Sequence, residues 1–306
     1  MTETVDSIII DSRAKNPKFY EAVEFERESN ALLYLTGKAG TGKTTFLKYI
    51  KQTTKKKHII LAPTGVAAIN AGGNTIHSFF QIPFGPFIPD DSRLRTRSMG
   101  LEHPETIFTT FKYREEKKEI IKNLELLIID EISMVRADML DVIDRILKVY
   151  RNQPSLPFGG VQVILIGDTF QLPPIVDNTE WSILSQHYKT PFFFSSKVLE
   201  QIDYAYIELK KIYRQKEQEF IDLLNRVRVS DVNEKDLSDL NAKYNPTFTG
   251  NGKDYIILAT TNKIVNETNV TKLKQLETEL FSFEAKIKGS FPDKHKPTEH
   301  YLQLKV

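Results

Sequence analysis

The sequence contains no cysteine, and this absence excludes two kinds of site. Disulfide bridges and thiolate zinc sites both require cysteine side chains, so neither is available to this chain. The six histidines are scattered through 306 residues without the spacing that metal ligands show. A structural metal is therefore not expected.

Long apolar runs are also missing, and no stretch approaches the roughly 20 residues that a membrane-spanning helix needs. Residues 1–6 are acidic and polar, unlike a secretory signal. The hydrophobic fraction of 40% and the charged fraction of 27% are typical of a soluble globular protein of one large domain or two ordinary ones. The net charge of +2 is too small to indicate nucleic acid, for which a local basic groove would be needed.

Residues 37–44 fit the phosphate-binding pattern G-x-x-x-x-G-K-[ST]. The apolar run before them predicts a strand and the run after them predicts a helix, which is the context that this pattern requires. The glycines let the backbone direct several N–H groups at one phosphate chain, and the helix N-terminus adds partial positive charge. A chance glycine-rich turn is the disfavoured alternative. The predicted nucleotide-binding residues are Gly37, Ala39, Gly40, Thr41, Gly42, Lys43, Thr44 and Thr45.

Two carboxylates follow the next buried strand candidate, residues 124–129. Beside a phosphate-binding loop, Asp130 is expected to hold Mg²⁺ together with Thr44, while Lys43 contacts the phosphates. Glu131 is expected to orient and deprotonate the attacking water. The alternative is a structural Asp-Glu pair at the start of a helix.

Later strand candidates place two more groups near the γ-phosphate. The run 161–166 ends in a loop that carries Gln171, whose amide can donate and accept, and whose position is fixed by two following prolines. The sequence also predicts strands at residues 192–194 and 204–209. Arg214 lies beyond them and is a candidate arginine finger from a second lobe.

A further set of candidate ligand-binding residues follows the strand predicted at 58–63. Loops after the carboxyl ends of strands carry ligand contacts in α/β sheets, so Thr64, Gly65 and His77 are candidates to touch a ligand that crosses the sheet. An N-cap role for Thr64 and a core role for His77 are equally supported. The helix predicted from residue 17 to about residue 29 could cover a nucleotide base, although it carries no glutamine to read adenine.

Residues from about 81 to 119 break the α/β rhythm. Three prolines in positions 82–89 exclude a regular helix, and Arg93, Arg95 and Arg97 follow. This pattern predicts an insertion with an apolar tip and a basic flank; a surface loop is the alternative. Further along, apolar residues at Phe220, Leu223, Leu224 and Val227 predict a helix, and a second helix is predicted from about 233 to 244. The sequence also predicts a buried strand and cap over 255–262, and strands at 279–288 and 300–306.

Together these motifs resemble the superfamily-one helicases of the Pif type, relatives of RecD. The resemblance spans nearly the whole chain, and it is specific because the motifs occur jointly. The matching segments are 37–44, 64–68, 75–79, 129–134, 167–174 and 213–241.

The resemblance implies an α/β fold with ATP between two RecA-like lobes. The RecA-like P-loop NTPase lobe would comprise 1-80 and 120-212, with a small wedge insertion at 81-119. An incomplete second RecA-like lobe would comprise 213-288, and 289-306 would begin a truncated β-barrel insertion. Two later motifs of the family do not occur in the sequence, so a C-terminal truncation is expected.

The resemblance also implies an activity: ATP- and Mg²⁺-dependent 5′-to-3′ movement on single-stranded DNA. Duplex, forked and G-quadruplex DNA and RNA–DNA hybrids would be substrates, in replication, repair, recombination and telomere maintenance. The protein would be an intracellular monomer without a membrane partner, cytoplasmic in a bacterium and nuclear or mitochondrial in a eukaryote. The implied catalytic residues are Lys43, Glu131, Gln171 and Arg214, and the implied DNA contacts are Thr64, Gly65, His77 and Thr260.

Two other functions remain open at this point. A catalytically weak fragment that binds DNA and nucleotide is the first, because the C-terminal helicase motifs are missing. A P-loop kinase of small molecules is more distant, since it gives no role to Asp130, Glu131 and the Gln171 loop.

Overall fold

The computed structural model describes residues 16–89, 91–94, 113–215, 217–248, 255–284, 286 and 301–305. Arg95, Arg97, much of the predicted insertion and residues 287–300 lie outside this description. The chain divides into two compact units, Met1–Leu237 and Ser238–Val306. Among the described residues, no helix is long and apolar enough to cross a bilayer.

The first unit is built on a six-stranded sheet in which every strand pair is parallel. The order is β3-β2-β4-β5-β1-β6. Parallel neighbours require crossover connections, which the helices supply, so the predicted α/β fold with a RecA-like sheet is confirmed. The strands are β1 Leu33–Gly37, β2 His58–Ala62, β3 Asn74–Thr75, β4 Leu126–Ile129, β5 Gln162–Ile166 and β6 Ala205–Leu209.

Helices cover both faces of this sheet, and local chemistry explains several of their ends. Asn16 caps the first helix, with proline at its first position, and Asp177 and Glu180 form a capping box at the seventh. The helices are α1 Pro17–Glu28, α2 Lys43–Thr53, α3 Gly65–Ala71, α4 Ile76–Phe80, α5 Glu115–Lys122, α6 Ala137–Tyr150, α7 Asn178–Leu184, α8 Lys197–Glu200, α9 Gln218–Arg228, α10 Glu234–Asn241 and α11 Asn262–Gln275. Short 3₁₀ turns lie at Ser92–Leu94, Ile132–Met134, Pro157–Gly160 and Phe193–Ser195.

The core consists of two apolar layers, one on each face of the sheet. Alternate strand residues serve alternate layers: Leu33 and Leu35 pack with α1 and α2, whereas Tyr34 packs with α6 on the other face. Burial on both faces explains why these strands are continuous apolar runs. The polar residues that follow each strand are therefore held at one rigid edge.

The predicted strand at residues 192–194 is wrong, because Phe193–Ser195 forms a 3₁₀ turn. Phe193 is buried against Tyr34, with ring centroids 5.1 Å apart, while Phe192 and Phe194 stack on each other at 5.4 Å. Burying one ring and stacking its two neighbours favours a turn here over an extended strand.

The second unit contains α11 and an antiparallel hairpin of β7 Leu280–Glu284 and β8 Tyr301–Lys305. Strands are therefore confirmed within 279–288 and 300–306. The buried strand predicted over 255–262 is wrong: residues 255–258 are irregular and exposed, with Ile256 and Leu258 more than four-fifths accessible. An apolar run becomes a buried strand only where partner strands exist, and the described part of this unit gives this run none.

Candidate active site

The segments that follow β1, β4, β5 and β6 meet at one edge of the sheet. β5 lies between β4 and β1, and β6 flanks β1, so their carboxyl ends are neighbours. They surround a cavity of about 1160 Å³. Polar residues that line it include Lys43, Thr44, Thr45, Glu131, Asp168, Gln171, Arg214 and Arg228.

The loop between β1 and α2 is shaped for a phosphate chain. Gly42 has φ 101° and forms the N-cap of α2, and among the residues that the structure describes no side chain caps this helix. The first N–H groups of α2 are therefore available to a ligand. Thr41 is buried, and its hydroxyl donates to the Lys38 carbonyl at 2.8 Å. Thr41 thus fixes the loop from within, while Thr44 and Thr45 are exposed at the helix start.

The amine of Lys43 lies across this loop. It donates to the Gly37 carbonyl at 2.5 Å and to the Lys38 carbonyl at 3.1 Å. Burial lowers the pKa of Lys43, and the charges of Asp168 and Glu131 oppose this effect. The amine therefore lies beside the open helix end, ready to exchange carbonyl partners for phosphate oxygens.

Asp130 and Glu131 follow β4 directly and have different environments. Burial raises the pKa of Asp130 to about 6, the Glu131 N–H that it accepts at 3.0 Å lowers it, and the charge of Glu131 raises it again. Glu131 takes the left-handed conformation, with φ 51°, which is uncommon outside glycine. This conformation turns Glu131 toward the cavity that it lines.

These residues fit a Mg²⁺ ion. Hard divalent cations prefer oxygen ligands, which the two carboxylates and the exposed Thr44 hydroxyl provide. Asp130 is partly buried, and its pKa is raised mainly by this burial and further by the charge of Glu131, so a bound cation would favour the ionised carboxylate.

Asp168, in the loop after β5, forms an ion pair with Arg228 that was not predicted from the sequence. Asp168 is buried, and both of its carboxylate oxygens accept from Arg228 of α9, at 2.6 and 3.2 Å. Gln171 also donates to Asp168, at 3.3 Å, and the Arg228 guanidinium lies 4.1 Å from the centre of the Phe170 ring. Both residues lie within the motif segments, but no local pattern pairs them.

Arg214 lines the same cavity as the phosphate-binding loop and lies close to that loop. It is exposed, lines the cavity, and follows Tyr213, whose N–H donates to the Gly40 carbonyl at 2.8 Å. A Cβ on Gly40 would lie 2.6 Å from the Arg214 Cβ, so these segments are in close contact. Its role as a finger stays a prediction.

The other end of the cavity is aromatic. Phe19 and Tyr20 of α1 and Tyr49 of α2 line it, with ring centroids of Phe19 and Tyr49 5.7 Å apart. α1 therefore borders the cavity, and its predicted role in covering a base stays a prediction. Gln52 of α2 also lines this cavity.

Three predicted DNA contacts lie on the segments after β2 and β3. Thr64 caps α3 by accepting the Ala67 N–H at 3.2 Å, so its N-cap role is confirmed, and Gly65 next to it is exposed. His77 is half-buried and stacks on Phe84, with ring centroids 5.0 Å apart, instead of belonging to the core. Thr260 is exposed in the second unit, before α11.

A parallel sheet whose strand β1 enters a phosphate-binding loop, with carboxylates after a nearby strand, defines the P-loop nucleoside triphosphatase class. The sequence model of the PIF1-like helicase family matches residues 14–238. The chain belongs to this family.

Individual relatives agree with this assignment. The chain is 35% identical over 282 residues to the ATP-dependent DNA helicase PIF1 of Danio rerio, covering 90% of this chain and 40% of that one. A structure described as DNA unwinding at forked dsDNA by two coordinating Pif1 helicases matches with TM-score 0.81 and 39% identity, covering 100% of this chain and 66% of that one. Bacteroides Pif1 with ADP-AlF3 and ssDNA matches with TM-score 0.79 and 40% identity, covering 94% and 63%.

The chain is shorter than these relatives. It spans between 28% and 54% of the length of the curated relatives compared with it. The activities of these longer relatives are therefore only proposed for this chain.

Proposed function

We propose that this chain is the ATP-hydrolysing part of a DNA helicase that moves 5′ to 3′ on single-stranded DNA. One observation carries the proposal: the phosphate-binding loop, Glu131, Gln171 and Arg214 line a single cavity of about 1160 Å³. Its volume accommodates a nucleoside triphosphate. A relative with ADP-AlF3 and ssDNA supports the same pair of ligands.

Each residue then has a definite task. The open N–H groups of α2 and the Lys43 amine bind the phosphates. Thr44 and Asp130 would hold Mg²⁺, which neutralises charge on the β- and γ-phosphates when it is bound. Glu131 accepts a proton from the attacking water, and Gln171 and Arg214 respond to the γ-phosphate.

Single-stranded DNA is proposed to cross the edge of the sheet. Thr64, Gly65 and His77 lie on segments after β2 and β3, and we include Thr260 of the second unit among the contacts. Affinity should fall with salt because contacts to phosphate groups release counterions. Forked DNA, G-quadruplexes and RNA–DNA hybrids are the proposed structured substrates, in genome maintenance, with the segment 81–119 as a wedge at the fork.

A second function is favoured by the short span of the chain relative to its relatives. A chain of this span could bind DNA and nucleotide yet turn over ATP slowly, because it covers only 40% of a relative such as the Danio rerio helicase. This alternative predicts ligand binding without DNA-stimulated hydrolysis.

Steady-state ATP hydrolysis with and without single-stranded DNA tests both functions. Glu131→Gln should lower a DNA-stimulated rate at least ~100-fold, the usual minimum for a general base, without weakening nucleotide binding. Glu28→Gln is the matched control, because Glu28 is exposed at the end of α1 and does not line the cavity. Binding of both ligands without turnover would favour the fragment, and absence of DNA binding would refute the helicase proposal for this chain.

A further inference from the structure

One arginine outside the cavity joins three segments that leave the sheet. The Arg136 guanidinium donates to both carboxylate oxygens of Asp138, at 2.9 and 2.7 Å, to Glu180 at 3.2 Å, and to the Gly85 carbonyl at 2.8 Å. The Arg136 side chain is only 13% exposed. We call Arg136 and these three acceptors the Arg136 junction.

The acceptors belong to separate stretches of chain. Gly85 lies in the segment that follows α4, and Asp138 lies in the first turn of α6, after β4. Glu180 lies in the first turn of α7, nine positions after Gln171, and its carboxylate also takes part in the capping box of that helix. The junction therefore connects the segments after β3, β4 and β5.

The Gly85 branch of the junction leads to the His77–Phe84 face, where single-stranded DNA is proposed to bind. Gly85 is adjacent to Phe84, which stacks on His77 with the ring planes 24° apart. Burial lowers the pKa of His77, and the positive charge of Arg136 lowers it further, so the two groups are within electrostatic range. Asp138 strengthens this branch by accepting the Phe87 N–H at 3.0 Å.

The other branches lead to the cavity through tightly packed backbone. Glu131 is the N-cap of the turn Ile132–Met134, and the Val135 N–H donates to the Ile132 carbonyl at 3.0 Å, immediately before Arg136. A Cβ on Gly167 would lie 2.8 Å from the Ile132 side chain, so the segments after β4 and β5 pack closely against each other. Arg136, four positions after Ile132, therefore lies next to a tight contact between these two segments.

We propose that Arg136 is a positioning residue that couples nucleotide binding in the cavity to single-stranded DNA binding at the His77–Phe84 face. The inference rests on the proposed function and adds to it a route between the two sites. The residue has to be arginine, because its planar fork serves three acceptors at once. Lysine keeps the charge but lacks this fixed geometry.

The experiment measures the coupling itself. The affinity of the chain for a fluorescein-labelled oligothymidine is determined by anisotropy, with and without AMP-PNP and Mg²⁺. The ratio of the two dissociation constants should be roughly tenfold, since coupling between sites is commonly about 5- to 150-fold. In Arg136→Lys the ratio should fall below about twofold, while each ligand alone binds within about threefold of the unmodified chain.

Arg151→Lys is the matched control. Arg151 lies at the opposite end of α6 and donates to the carbonyls of Gly159, Ile121, Lys122 and Leu124, so it loses a comparable set of hydrogen bonds. Its coupling ratio should stay at the unmodified value. If Arg136→Lys does not fold, Glu180→Gln replaces one charged acceptor with a neutral amide while Arg136 keeps its pair with Asp138, and the coupling ratio should fall by about half or more.

The outcomes separate the two proposals. An unmodified chain that binds no oligothymidine refutes the proposed function. Binding of both ligands without any coupling, or coupling that survives in Arg136→Lys and Glu180→Gln, overturns the role of Arg136 alone. Equal loss in Arg136→Lys and Arg151→Lys also overturns it, because general loosening of α6 would then explain the result.

Discussion

Arg228 and Asp168 form a two-point ion pair that joins the end of α9 to the end of β5. The Asp168 side chain is 1% exposed and that of Arg228 is 19% exposed. This pair holds the carboxylate to which Gln171 also donates. The loop that carries Gln171 is therefore anchored by an arginine 60 residues further along the chain from Asp168.

The first prediction concerns the stability of this pair. Arg228→Met leaves Asp168 buried without its partner, so the free energy of unfolding should fall by roughly 3 kcal/mol. Asp168→Asn should cost less, about 1–2 kcal/mol, because Arg228 retains some access to water. Urea unfolding measures both. Lys18→Met is the control, because it breaks a half-exposed ion pair with Glu21 and should change the free energy of unfolding by less than about 1 kcal/mol. An equal loss of unfolding free energy in Lys18→Met and Arg228→Met would contradict the prediction.

The second prediction concerns pH. Burial by itself raises the pKa of Asp168, but hydrogen bonds from Arg228 and from the Phe170 N–H outweigh it and hold the pKa below its ordinary value. Because the folded pKa is lowered, this stabilisation is present above about pH 4, the unfolded value, and is lost as the pH falls through the folded pKa. Urea unfolding between neutral pH and about pH 3 should show a shallower loss for Asp168→Asn than for the unmodified chain. Parallel curves would refute the assignment to Asp168.

The third prediction compares two glycines. Gly40 has φ +79°, and an added Cβ would lie 2.6 Å from the Arg214 Cβ, so Gly40→Ala should lower the free energy of unfolding by more than about 1 kcal/mol and weaken nucleotide binding. Gly65 has an ordinary φ and open space around the Cβ position, so Gly65→Ala should be neutral or stabilise by up to about 1 kcal/mol. Thermal unfolding and titration with a fluorescent nucleotide test the pair, and comparable losses in both variants would contradict the geometry.

The phosphate-binding part of the candidate site could be predicted because the residues that form each of its motifs are consecutive in the sequence. The loop 37–44 and the Asp130–Glu131 step each follow an apolar run, and parallel strands bring such run ends together. The Arg228–Asp168 pair and the Arg136 junction were not predictable, because each joins residues whose meeting depends on how distant segments pack. Local periodicity carries no information on that packing.

The two wrong strands have a related cause. Residues 192–194 and 255–258 both carry apolar side chains that suit a strand, but strand formation depends on neighbours that the local sequence does not specify. Phe193 lies in a 3₁₀ turn, and its ring is buried in the core. Ile256 is exposed, and the described part of the second unit gives it no partner strand.

The uncapped start of α2 has a practical consequence for work with this protein. Its outward N–H groups and the Lys43 amine bind an anion through charge and hydrogen bonds alone, without reading a base or a sugar. Sulfate or inorganic phosphate in a buffer will therefore compete with nucleotide and raise the melting temperature by mass action. Affinities measured in chloride and in phosphate buffers should differ, and the difference reports how strongly this loop binds a simple oxyanion.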